Sequence, residues 1–215
     1  MDILNKEKLK EVLERWKGHP SVSDLMERFD KLQTYAKKRF EKDPKFDLIE
    51  LETIDCAEDP VRPELDLSFR RAYGRKIFGI KNEQGELTAI MCFAFTNKVP
   101  KSVKEMDALS KDACMQALYR AGVQGSIAIA YTVWAKKKGG GKYMVNEVYK
   151  MVKESNHLNR LVTLSPLTEI AERFHIKNGA KKLQVNEDTQ NFEYDITLED
   201  WEKALDKAKR FFKIR

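Results

Sequence analysis

The sequence predicts an α/β (α+β) fold, a central sheet flanked by helices and preceded by an N-terminal helical hairpin. Three observations predict it. The run Ser126–Trp134 carries no charge and is rich in Ile, Ala, Tyr, Val and Trp, as a strand buried on both faces requires. It gives way to Lys136, Lys137 and Lys138, then Gly139, Gly140 and Gly141. After Lys142, apolar residues recur at helical spacing (Met144, Val145, Val148, Met151, Val152), placing a helix from about Gly141. Upstream, Arg75–Lys81 and Glu86–Thr96 flank Asn82-Glu83-Gln84-Gly85, a hairpin signal.

Taken in order, residues 5–17 put Leu9, Val12, Leu13 and Trp16 on one helical face, ended by Gly18-His19-Pro20, with His19 a surface turn residue. A second helix, capped near Ser21 or Ser23, buries Leu25, Met26, Phe29, Leu32, Tyr35 and Phe40 before Pro44 stops it. Residues 1–44 therefore read as a helical extension, and 45–215 as one compact unit. Phe46–Ile54 alternates like a strand exposed on one face. Residues 55–66, with Pro60, Pro63 and several acids, read as a loop. The arm LTAIMCFAFT is nearly all apolar and so central. Val103–Ala121 is a helix of irregular periodicity, placed to cap one face of the sheet. Arg160–Ser165 is the next strand, Thr168–Asn178 a helix, Lys181–Val185 and Phe192–Thr197 the last strands. Leu198–Phe212 is an amphipathic helix with a basic end suited to its negative dipole pole.

Composition narrows the function. The 215 residues are 42% hydrophobic and 34% charged, ordinary for a globular protein able to bury a core. No run approaches the ~20 apolar residues of a membrane helix, and the charged N-terminus is not a signal peptide, so a cytoplasmic protein is expected. Cys56, Cys92 and Cys114 are odd in number and lack a CxxC pair, which fits free buried thiols rather than disulfides or zinc; no metal is expected. The charge of +6 suits an anionic ligand. Its basic residues are spread along the chain, which argues against nucleic acid as a partner.

A glycine-rich turn between strand and helix can hold phosphate. Glycine admits positive φ and bare backbone N–H groups, and the helix dipole and lysines add positive potential. Neither nucleotide motif fits, since Gly-x-Gly-x-x-Gly is absent and Gly141-Lys142 is followed by Tyr143 instead of Ser or Thr. Lys136-x-x-Gly139-x-Gly141 after a long strand does resemble the acyl-CoA pyrophosphate loop of the GNAT superfamily of N-acetyltransferases, with Lys where Arg or Gln is usual. Phe174-His175-Ile176-Lys177-Asn178-Gly179-Ala180 is similar to that superfamily's aromatic-Tyr-x-x-x-Gly-Phe segment, and the order of elements over residues 75–197 agrees.

The resemblance implies a mixed, mostly antiparallel sheet whose strands Ser126–Trp134 and Arg160–Ser165 splay apart. It implies pantetheine against the backbone at Tyr131, Val133 and Trp134, and pyrophosphate at Lys136, Lys137, Lys138, Gly139, Gly140, Gly141 and Lys142. The substrate would be acetyl-CoA or another short acyl-CoA. His175 stands where the superfamily often places a Tyr that protonates the CoA thiolate, work a histidine can also do. Thr163-Leu164-Ser165-Pro166 and the Phe174–Ala180 segment also resemble malonyl-CoA decarboxylase, a GNAT-fold family, which implies catalytic roles for Ser165 and His175. That family has a long insertion between these motifs, where eight residues separate Pro166 from His175 here.

Three functions follow. Transfer of a short acyl group to an amine on a small-molecule or protein acceptor stands first. Decarboxylation using Ser165 and His175 stands second, favoured by the absence of any Asp or Glu on Ser126–Trp134 to deprotonate an amine. A non-catalytic acyl-CoA-binding protein is third. No motif speaks to oligomeric state.

Overall fold

The computed structural model of the protein describes residues 45–120 and 124–196. The expected helical extension at 1–44 and the helix at 198–212 lie outside these residues. Strands β1 (Asp47–Glu50), β2 (Lys76–Lys81), β3 (Leu87–Thr96), β4 (Ile127–Ala135), β5 (Arg160–Thr163), β6 (Ser165–Pro166), β7 (Lys181–Val185) and β8 (Thr189–Tyr194) form one sheet. Its order is β1-β2-β3-β4-β5-β8-β6, with β7 beside β8. Only the β4–β5 pair is parallel, because helix α3 (Gly140–Glu154) connects them as a crossover. The sheet is thus mixed and mostly antiparallel, as expected. The other α-helices among the described residues are α1 (Leu67–Arg71), α2 (Val103–Arg120) and α4 (Glu169–Lys177).

Each face of the sheet is covered. Met144, Val145, Val148 and Val152 of α3 pack on Ile80, Met91, Phe93, Ala128 and Phe192. On the opposite face Met106 of α2 joins Ile90, Cys92, Ile129, Tyr131, Trp134 and Leu164. Nine of the ten β3 residues are buried, which is why its run is so apolar. The β2–β3 turn closes with the Gly85 N–H on the Asn82 carbonyl at 2.8 Å, Gly85 at φ +77°.

Three expectations need correction, and one needs an addition. The first strand is only Asp47–Glu50; after the Leu51 N–H bonds Ile77 O, the chain leaves the sheet. Residues 55–66 form the expected loop around one 3₁₀ turn at Cys56–Glu58, but Asp59 and Arg62 within it are buried. The last strand runs Thr189–Tyr194, three residues earlier than expected, because Thr189, Gln190 and Asn191 are polar yet buried and hydrogen-bonded; Asn191 donates to Pro100 O and Thr163 O. All three cysteines are free, but only Cys92 is buried.

Candidate active site

Strands β4 and β5 part company in mid-sheet. They pair from Ile127↔Arg160 to Ala130↔Thr163, and the Leu164 N–H still reaches Ala130 O at 2.9 Å. Beyond that, Tyr131–Ala135 runs on beside β3 alone while Ser165–Pro166 stays with β8. A β-bulge accompanies the parting: Cys92 faces Thr132 and Phe93 faces Ala130, leaving Tyr131 as the extra residue. Such a bulge turns a carbonyl out of the ladder. Tyr131 O accepts from Arg62 Nε at 2.9 Å, and Leu164 O accepts from Arg62 Nη2 at 2.9 Å. One guanidinium therefore bridges the two strands at the base of their splay.

Ser165 and His175 come together on the α3 side. Thr168 caps α4 through its hydroxyl, which accepts from the Ala171 N–H, and so fixes the helix that carries His175. His175 Nε2 lies 2.8 Å from Ser165 Oγ, and Nδ1 lies 2.9 Å from Tyr194 Oη. The ring stacks on Phe192, centroids 5.0 Å apart. His175 is 4% exposed, and burial pulls its pKa down to about 4, so the imidazole is neutral at neutral pH. Burial likewise pushes the Tyr194 phenol above its ordinary value. Ser165 Oγ also lies 3.1 Å from Thr163 Oγ1, which accepts the Phe192 N–H. Either neutral tautomer satisfies the chain. Ser165 can donate to Nε2 while Nδ1–H donates to Tyr194, or Nε2–H can donate to Ser165 while Tyr194 donates to Nδ1. Ser165, His175 and Tyr194 thus form a neutral proton relay.

The glycine loop sits where β4 runs into α3. The N–H groups of Lys136 and Lys137 both bond Thr88 O, and that of Gly140 bonds Lys137 O. Those of Lys138, Gly139 and Gly141 bond no acceptor among the described residues, and they gather at the positive pole of a fifteen-residue helix. The glycines have separate reasons. Gly139 is the N-cap at φ +86°. A Cβ on Gly140 would stand 2.4 Å from Thr88 O, so α3 can approach β3 only without one. A Cβ on Gly141 would meet the Phe174 ring at 3.2 Å, which brings the loop against the residue next to His175. Of the lysines, Lys136 pairs with Glu58 at 2.6 Å and Lys137 with Glu86, while Lys138 and Lys142 are exposed. The Tyr131 hydroxyl and Trp134 Nε1 are buried and have no hydrogen-bond partner among the described residues, and Val133 is partly buried on the α3 face.

Sequence reasoning missed the residues that close the opposite face. Asp59 accepts from Thr132 Oγ1 at 2.9 Å and from Arg70 Nη2 at 2.8 Å. Neither charged side chain of this pair has solvent-exposed surface. Burial would depress the Arg70 pKa, but Cys92 and Asp59 beside it outweigh this and raise it. Burial pushes the Cys92 thiol up to about 11. Asp59-Pro60-Val61-Arg62-Pro63, two charges interleaved with two prolines, gave no local sign that these charges are buried. Tyr194 was legible as the next same-face residue after Phe192. Among the described residues no cluster of three His, Cys, Asp or Glu is placed to hold a metal. Nor is any helix among them long and apolar enough to cross a membrane.

No protein-family model matches the chain, and neither does any curated protein sequence. Solved structures do. Malonyl-CoA decarboxylase from Cupriavidus metallidurans is similar at 13% identity and a TM-score of 0.51, over 72% of this chain and 61% of that one. The chain thus spans about three-fifths of that enzyme's length. The GphF GNAT-like decarboxylase in complex with isobutyryl-CoA is similar at 9% identity and a TM-score of 0.54, over 70% of this chain and 99% of that one. At these identities the likeness is one of fold, a GNAT-like one.

Proposed function

We propose that the protein is an acyl-CoA-dependent enzyme of GNAT type and that its reaction is loss of carbon dioxide from a malonyl-type CoA thioester. CoA pyrophosphate would take the unbonded N–H groups at Lys138, Gly139 and Gly141, with Lys138 and Lys142 beside them. Pantetheine would run along Tyr131, Val133 and Trp134 into the splay, bringing the thioester to Ser165. The observation that carries this reading is the 2.8 Å Ser165–His175 contact within a buried, neutral relay.

The chemistry favours an enolate route. The electron pair of the breaking carbon–carbon bond moves into the α-carbon–carbonyl bond, charge settles on the thioester oxygen, and carbon dioxide leaves. Ser165 Oγ–H then protonates the α-carbon as His175 Nε2–H passes to Ser165 Oγ and Tyr194 Oη–H passes to Nδ1, and a proton from water returns to Tyr194. An enolate carbon is basic enough to take a proton from neutral groups. A nucleophilic serine would need the imidazolium instead, and no carboxylate backs His175 to support one.

Acyl transfer, placed first from sequence, draws less support from this geometry. It needs a base for the acceptor amine, β4 carries none, and the carboxylate that reaches β4, Asp59, is bound to Arg70. The experiment is malonyl-CoA turnover without an acceptor by wild type, Ser165→Ala and His175→Ala. Acetyl-CoA formed by wild type and reduced about 10²–10⁴-fold in both variants is expected. Thiol release that requires an added amine and survives Ser165→Ala establishes transfer instead.

A further inference from the structure

Resting on the reading that the splay receives the thioester, we infer that Arg62 is the group that stabilises negative charge on the thioester oxygen. The buried cluster behind β4 and β5 contains Asp59, Arg62 and Arg70, at 1%, 8% and 0% exposure. One carboxylate stands against two guanidiniums. Asp59 is committed to Arg70, so the cluster keeps one positive charge, on Arg62. Arg62 has no carboxylate within ion-pair distance among the described residues. Its partners are two neutral carbonyls, Tyr131 O and Leu164 O. Burial lowers its pKa, countered in part by Glu64 and Asp59. Those two carboxylates act on it only through space, and the cation has no anion bonded to it.

The geometry says where the anion belongs. Nε and Nη2 form one edge of the planar fork, and that edge is spent on the two strands that diverge. Nη1 donates to no atom among the described residues, and the rigid fork directs it away from both carbonyls. Arg62 is thereby fixed before any ligand arrives. Asp59 accepts from its backbone N–H at 3.2 Å, and both strands hold its head. Leu164 O, one of those anchors, belongs to the residue before Ser165. Negative charge formed beside Ser165 therefore appears close to a preset, desolvated guanidinium, where an N–H donor is most effective. The substrate brings one negative charge on its carboxylate, and loss of carbon dioxide moves that charge to the thioester oxygen, towards Nη1.

The test uses S-carboxymethyl-CoA, a stable thioether whose carboxylate mimics the charge of the enolate one bond further from sulfur, against acetyl-CoA and free CoA in calorimetric titrations. Wild type should bind S-carboxymethyl-CoA at least about tenfold more tightly than acetyl-CoA, from a charge-assisted hydrogen bond that the neutral thioester does not make. Arg62→Met should abolish that preference while keeping free CoA affinity within about threefold. It should also lower kcat on malonyl-CoA about 10²–10³-fold with little change in KM. Equal wild-type affinities for the two ligands overturn the inference, and this arm needs no variant to fold. Retention of the preference, or of turnover within about threefold, in Arg62→Met or Arg62→Lys overturns it as well. If free CoA and acetyl-CoA fail to bind at all, the acyl-CoA reading falls, and the inference with it.

Discussion

His175 Nδ1 and Tyr194 Oη lie 2.9 Å apart, a contact that joins the helix after β6 to the last strand of the sheet. It fixes the ring that faces Ser165. Removing the hydroxyl leaves Nδ1 buried and unpaired, which costs about 1–3 kcal/mol. Tyr194→Phe should therefore melt lower than wild type and turn over more slowly, while free CoA binding is unchanged. Wild-type activity and stability in Tyr194→Phe would show that the phenol neither positions nor supplies the imidazole.

The pH dependence follows from the same burial. His175 has a pKa of about 4 when folded against an ordinary 6.5. Between those values the unfolded chain binds a proton that the folded chain refuses, so stability falls as pH drops from about 6.5 to 4 and is fully present above 6.5. The difference corresponds to about 3 kcal/mol. Denaturant melts of wild type and His175→Asn at pH 7 and pH 5 should show that wild type loses more. Activity should stay flat down to about pH 5, without an inflection near 6.5. An inflection there means that the imidazole titrates as an exposed histidine.

Asp59 should matter to the fold. Asp59→Ala leaves Arg70 buried without its counter-charge and frees Thr132 and two backbone N–H groups, at Val61 and Arg62. Breaking one side of a buried pair costs about 3–5 kcal/mol. A calorimetric melting shift equivalent to under 1 kcal/mol would contradict this role.

The loop glycines separate binding from packing. Gly140→Ala drives a methyl group towards Thr88 O and should destabilise the apo protein itself. Gly139→Ala meets no close atom, only the Tyr143 ring edge at 3.9 Å, but strains a φ of +86°, a cost of about 1–2 kcal/mol. With free CoA at a hundredfold excess over Kd, wild type should gain about 2.7 kcal/mol. Gly139→Ala should lose most of that gain, because the cap that presents the Lys138 and Gly141 N–H groups shifts. A full gain in Gly139→Ala argues that pyrophosphate binds elsewhere.

What the chain revealed in advance depended on whether local pattern matched burial. The run Ser126–Trp134 and the arm LTAIMCFAFT are dry because both faces of β4 and β3 are covered, so their central position was readable. Ser165 and His175 were readable only through motif resemblance, since nothing in their spacing says that a strand break and a helix will set them 2.8 Å apart. Asp59, Arg62 and Arg70 were unreadable for a physical reason. Charged residues in and beside a proline-containing loop normally face water, and here partners on β3, β4 and α1 and at Leu164 make their burial tolerable. Gln190 and Asn191 misled in the same way, being polar residues of a strand whose side chains find partners inside.

The most direct measurement is incubation of the protein with malonyl-CoA alone in heavy water, followed by mass spectrometry of the thioester. Acetyl-CoA carrying one deuterium, formed with no acceptor present and lost in both Ser165→Ala and His175→Ala, is expected. Malonyl-CoA recovered intact under conditions where free CoA binds would contradict the proposed decarboxylation.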